Sequence, residues 1–256
     1  MEGKVYCRIW QSHWPAHCAG KFSLLRSRFM AAQAKTDQPQ LPVPLEREFF
    51  ARNPRRVARA LLGKVLVRQS SDLLLTARIV EVEAYLGQDD PAAHAAAGHT
   101  ARNSVLFGPP GHAYVYFIYG NHYCLNVSCE REGKAGCVLF RALEPVTGLE
   151  EMAQSRGITI RSPSDLPRLT SGPGRLAEAF GITHLSDNGC DLTSSDSTLW
   201  IGRDGFRRSG IWVTPRIGIT KAAKLPLRYI LAGSAFVSGR KTLAKLAQAS
   251  PVKSKN

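Results

Sequence analysis

The chain is poor in acid and has no long apolar run. Across its 256 residues, 20 aspartates and glutamates stand against 34 lysines and arginines, a formal charge of +14. A balance of that sign favours a polyanionic partner. Because neither a long apolar span nor a basic amphipathic anchor is present, nucleic acid is expected before a membrane. The six cysteines, Cys7, Cys18, Cys124, Cys129, Cys137 and Cys190, show no Cys-x-x-Cys spacing, so no metal site is expected and a reducing compartment fits them better. Also absent are a Walker loop, a Gly-x-Gly-x-x-Gly turn, a His-Glu-x-x-His helix, a Gly-x-Ser-x-Gly elbow and the zinc-deaminase signature. What remains is carboxylate chemistry.

No internal repeat or composition break divides residues 45 to 245, and at 44% hydrophobic that stretch is long enough for one substantial core. Residues 1 to 44 are basic, end in Pro-rich sequence at Gln38–Pro42, and read as a disordered leader. An organelle-targeting segment and a start at Met30 are the alternatives there. Residues 246 to 256 read as a basic tail. Within the domain, Asn53-Pro54 opens a helix carrying Val57, Ala58, Leu61 and Leu62, with Gly63 as its stop. A strand at Lys64–Arg68 turns at Ser70–Asp72 into the strand Arg78–Tyr85. Residues 86 to 112, rich in Gly, Ala, Pro and His, form a long loop expected to be functional. Tyr114–Tyr119 and Tyr123–Ser128 form a hairpin with Tyr119 at its tip, followed by a strand at Cys137–Arg141. Thr147–Glu150 has the pattern of a capping box, Ser162–Pro167 that of a polar loop. Thr170–Leu176 opens a helix where Arg175 could meet a phosphate. Short strands near Trp200 and Ile211–Val213 and a docked segment at Pro226–Ile230 complete the chain. Together these predict a single α+β domain with a curved antiparallel sheet, a protruding β-hairpin and peripheral helices.

The chemistry-bearing residues concentrate between Arg78 and Arg141. Strand alternation points Val80, Val82 and Ala84 one way and Glu81, Glu83 and Tyr85 the other, so one face is core and the other offers carboxylates beside an aromatic ring. Glu83 near an arginine can act as a general base on water, and Arg141 would keep it ionised. Tyr85, Tyr116 and His94 can sandwich a planar base, and Tyr119 can fill a gap in a base stack. Those parts describe an enzyme that extrudes one nucleotide and hydrolyses a bond on it. Each residue also has a plainer role open to it: a solvated strand carboxylate, a sheet-forming tyrosine, a loop histidine, a backbone-bonding Asn126 or a structural ion-pair arginine.

The blocks Ile79–Gly87, Ala92–His94, Arg102-Asn103, Tyr114–Gly120, Leu125–Ser128 and Val138–Pro145, with Ser171-Gly172-Pro173 and Pro226-Leu227-Arg228, resemble the alkyladenine (3-methyladenine) DNA glycosylase family. The resemblance runs in order from Glu46 to Val237. It implies a monofunctional hydrolytic glycosylase acting on double-stranded DNA that contains damaged purines, as a monomer and without metal or cofactor. Expected substrates are 3-methyladenine, hypoxanthine and ethenoadenine. By the same resemblance Glu83 is the general base and Arg141 helps hold the water and the flipped nucleotide. Tyr85, His94 and Tyr116 line the base pocket, and Asn126 rejects the exocyclic amine of guanine. Tyr119 replaces the flipped base, Leu106 touches the minor groove, and Arg102 and Arg175 serve the DNA contact. Relative to the family, the loop after His94 is shorter and Asn121 at the hairpin tip is not apolar. The expected location is the cytoplasm or nucleoid of a bacterium, or the nucleus or an organelle of a eukaryote. A duplex-binding protein with the same fold and no chemistry is the alternative.

Overall fold

Strand β3, Leu74–Tyr85, is the axis of the molecule. In the computed structural model, which describes residues 41–118 and 120–239, it pairs along its length with β6, Cys137–Thr147. On its other side it divides its pairing. The first half takes β2, Val65–Gln69, and the second half, Glu81–Glu83, takes β9, Arg228–Leu231. The sheet of the described residues runs β1 (Val43–Pro44), β7 (Leu199–Arg203), β2, β3, β6, β5 (His122–Ser128), β4 (Ala113–Ile118), with β8 (Ile211–Thr214) joined through β9. All pairings are antiparallel, as the sequence predicts, and the sheet is curved. The β4–β5 hairpin stands at one end of that order. Pairing begins at Val43, ahead of the expected start at Leu45. The leader before residue 41, the tail after 239 and Tyr119 lie outside the described residues.

Six helices flank the described sheet. They are α1 (Arg47–Phe50), α2 (Pro54–Leu61), α3 (Leu149–Ser155), α4 (Pro167–Thr170), α5 (Pro173–Ala179) and α6 (His184–Asp187). In α2 the Asn53 side chain accepts from Arg55 N at 3.0 Å, Pro54 stands in the first turn, and Val57, Ala58 and Leu61 are buried against the core. An N-cap acceptor with proline behind it satisfies a donor that would otherwise be orphaned and presets the helical φ.

Two local expectations are corrected. Thr147 makes no capping box: it is the last residue of β6, paired with Thr76, and the N-cap of α3 is Gly148 at φ 80°. A Cβ there would lie 2.3 Å from Leu75 Cδ2 and 2.8 Å from the Leu74 carbonyl oxygen, so only glycine fits between strand and helix. The 86–112 stretch is not a bare loop either, because it holds 3₁₀ turns at Gly87–Asp89, His94–Ala97 and Ala101–Phe107. Asn103 organises them. Its side chain accepts from Thr100 N at 2.7 Å and donates to the His94 and Gly98 carbonyls at 3.1 and 2.9 Å. Ser162–Pro167 likewise contains a 3₁₀ turn at Pro163–Asp165.

Candidate active site

The site is a patch of one sheet face, set by strand register. Glu83 pairs with Arg228 on one side and with Leu139 on the other; Leu139 pairs with Asn126, and Asn126 with Tyr114. Directly opposed residues share a face, so these five stand in one row across five strands. One step along, Tyr85 pairs with Cys137; one step the other way, Tyr116 pairs with Cys124 and Arg141 follows Leu139 on β6. The ladder breaks there. A register shift between Ile79 and Glu81 leaves Val80 as an extra residue on β3, and a second between Glu81 and Val82 leaves Arg141 as an extra residue on β6. A bulge of this kind bends its strand and re-aims the side chain it carries.

The face that carries the carboxylates is covered: Glu81 and Glu83 are both fully buried, under β9 and the segments either side of it. Glu83 Oε1 accepts from the backbone N–H of Ile217 at 2.9 Å. Its Oε2 accepts from Tyr85 Oη at 3.1 Å and lies 3.4 Å from Arg141 Nη1. Burial pushes the Glu83 carboxyl above the usual range, against the pull of Arg141, the Ile217 N–H and the Tyr85 hydroxyl. Tyr85 is itself raised, first by burial and then by the Glu83 charge, so its hydroxyl stays protonated and donates.

Arg141 answers to two carboxylates. Its Nε donates to Glu81 Oε1 at 3.0 Å and its Nη2 to Ser238 Oγ at 3.4 Å, while Nη1 reaches Glu83. Glu81 in turn accepts from Arg228 Nε at 2.7 Å, from Ser238 Oγ at 2.7 Å and from Ser238 N at 2.5 Å. Arg228 also donates to the Ser238 carbonyl at 3.0 Å. Two buried carboxylates thus face two buried guanidiniums, which is how buried charge is tolerated at all.

The aromatic wall stands beside this cluster. His94 Nδ1 shares a hydrogen bond of 2.8 Å with Tyr114 Oη, and its ring meets Tyr116 edge-on at 4.5 Å. Burial, then Arg102, lowers the His94 pKa, which keeps the imidazole neutral at neutral pH. Burial raises Tyr114 to about 12. Asn126 donates from Nδ2 to the Tyr114 carbonyl at 3.1 Å and is buried, so its amide is fixed in orientation. Leu106 offers no exposed groove contact: it is 2% exposed and packs with Ala95, Tyr114, Ala135 and Cys137 under Tyr85 and Tyr116. Arg102 and Arg175 are exposed, the latter with Nη1 donating to the Ser171 carbonyl at 3.4 Å.

Sequence reasoning missed Arg216, Arg228, Ser238 and the part played by Glu81. Arg216 lies over the Tyr85 ring at 4.5 Å, donates to the Ala84 carbonyl at 3.1 Å and grips the buried Asp90 through contacts of 2.6 and 2.9 Å. It stacks on the Tyr85 ring, and the N–H of the next residue, Ile217, bonds Glu83. The available signal was a lone arginine inside apolar sequence, Pro215-Arg216-Ile217 and Leu227-Arg228-Tyr229, where burial demands a partner. Among the described residues no cluster of His, Cys, Asp and Glu suits a metal ion.

Known proteins share this arrangement of sequence. The profile of the family described as Methylpurine-DNA glycosylase (MPG) matches residues 48–235. A protein of Koribacter versatilis (strain Ellin345) named "Putative 3-methyladenine DNA glycosylase" is 62% identical over 200 residues, covering 78% of this chain and 95% of its own. Proteins of the same name from Rhodopseudomonas palustris strains HaA2 and BisB18 are 48% and 50% identical, each covering 76% of this chain and 90% of its own.

Proposed function

The chain belongs to the methylpurine-DNA glycosylase family, and on that premise we propose that it removes alkylated and deaminated purines from duplex DNA by hydrolysing the N-glycosidic bond. The substrates of this reading are 3-methyladenine, hypoxanthine and ethenoadenine. The damaged nucleotide swings out of the stack, and its base enters between Tyr85, His94 and Tyr116. Glu83 takes a proton from water, the water oxygen bonds to the sugar C1′, and the purine leaves with the electron pair of the broken C1′–N bond. A 3-methyladenine cation departs as a neutral base, while a neutral lesion takes up a proton from solvent water as it leaves. Arg141 holds the water and the flipped nucleotide. Asn126, fixed by the Tyr114 carbonyl, sets its remaining polar atoms against the exocyclic amine of guanine. Tyr119 fills the vacated stack, and Arg102 and Arg175 meet phosphates. With water as the nucleophile, no covalent enzyme–sugar adduct forms and the strand stays uncut. The protein works as a monomer, in the cytoplasm on the nucleoid if its cell is bacterial and in the nucleus or an organelle if it is eukaryotic.

The observation that carries this reading is the buried Glu83 carboxylate, ringed by donors from Arg141, Tyr85 and Ile217 beside an aromatic wall. Raised by burial, it is a stronger base than a solvated glutamate. The test incubates purified protein with methylated duplex and with duplexes bearing hypoxanthine or ethenoadenine. Free base should appear by chromatography, and the strand should break only after alkali. Binding without base release from all three would leave a non-enzymatic duplex-binding protein, and breakage without alkali would contradict the water mechanism.

A further inference from the structure

Arg141 lies closer to Glu81 than to the general base. Its Nε is 3.0 Å from Glu81 Oε1, whereas its Nη1 is 3.4 Å from Glu83 Oε2. Glu81 has no solvent to face and is saturated by protein: Arg141, Arg228 and Ser238 Oγ converge on Oε1, and Ser238 N takes Oε2. A buried ionic cluster is a poor means of stabilising a fold, because apolar residues of like volume serve as well or better. Its position explains its presence. Glu81 sits two residues before Glu83 on the same strand and face, beside the bulge that aims Arg141.

We propose that Glu81 is the positioning residue of this site: gripped by Arg228 and Ser238, it holds the Arg141 guanidinium off Glu83 and takes up part of its positive charge, leaving Glu83 free to accept a proton from water. The inference rests on the glycosylase reading above. Without the Glu81 carboxylate, Arg141 would keep Glu83 as its acidic partner among the described residues and would close onto it, making a tighter pair and a weaker base. The charged and titratable groups facing Glu83 are Glu81 and Tyr85 from β3, Arg141 from β6, Cys124 from β5, Arg228 from β9 and Arg216 from the preceding loop. Of these, Glu81 is the acid whose charge opposes ionisation of Glu83.

The test is the pH–rate profile of single-turnover base release, on the substrate the wild-type protein cleaves, for wild type, Glu81→Gln and Ser238→Ala. For Glu81→Gln the acid limb should move to lower pH while the rate on the plateau falls by about tenfold or more. Ser238→Ala removes one hydroxyl that touches both Glu81 and Arg141; its rate should fall severalfold with affinity for the lesion duplex unchanged. A purely structural Glu81 would lower the yield of folded protein and leave the limb of the active fraction where it was, which would overturn the proposal. If Glu81→Gln does not fold, Ser238→Ala decides, and a rate equal to wild type sinks the idea. Wild type that releases no base would instead defeat the glycosylase reading, a distinct result.

Discussion

At Glu83, burial raises the carboxyl pKa and so weakens the folded state at neutral pH. The folded chain binds that proton more tightly than the unfolded chain. The stability this contributes is therefore full below the unfolded value and is lost as pH rises through the folded one. Glu83→Gln carries no charge at any pH, so it should melt above wild type at about pH 7 and close to it at about pH 4. Thermal unfolding by circular dichroism checks this, and a variant that melts lower at both pH values would contradict it. Asp90 has the opposite sign. Burial would raise it, but Arg216 and the N–H groups of Ala92 and Leu86 hold it below its ordinary value, so its contribution is present at neutral pH and lost in acid. Arg216→Ala would strand that buried carboxylate and should cost about 3–5 kcal/mol. A urea midpoint unchanged from wild type would refute the pairing. Part of this chemistry was legible in sequence: Glu83, Tyr85 and Arg141 lie in strands whose alternation is plain. Their supports were not, because Ile217, Arg228 and Ser238 reach Glu83 and Glu81 across 134 to 157 residues of chain.

Among the elements, the hairpins and the α2 helix followed from local signals: alternating β-branched and aromatic residues, turn residues, and an N-cap followed by proline. The forked pairing of β3 did not, since nothing in Leu74–Tyr85 tells which partner takes which half. Nor did the order within residues 86 to 112, which depends on a single side chain. Asn103 satisfies one N–H and two carbonyls in the segment that carries His94. Asn103→Ala should cost about 2 kcal/mol and loosen that segment, read as faster proteolysis between Gly87 and Gly108. Equal protease resistance would show that the 3₁₀ turns hold without it.

For the whole molecule, a charge of +14 makes the proposed duplex binding a matter of counterion release. The logarithm of affinity should fall linearly with that of salt concentration, and loss of Arg102 or Arg175 should each flatten the slope by about 0.9. Unaltered slopes would remove those arginines from the phosphate contact. The charge was legible in the composition, and the fold class followed from the run of hairpins without long intervening helices. On the proposed mechanism Glu83, buried among Arg141, Tyr85 and the Ile217 N–H, activates the water that releases the base. The decisive measurement is single-turnover base release from a hypoxanthine duplex for wild type and Glu83→Gln, with duplex affinity measured alongside. The rate of Glu83→Gln should fall by about 10²–10⁴-fold with affinity near wild type; base release at the wild-type rate would show that Glu83 is not the base.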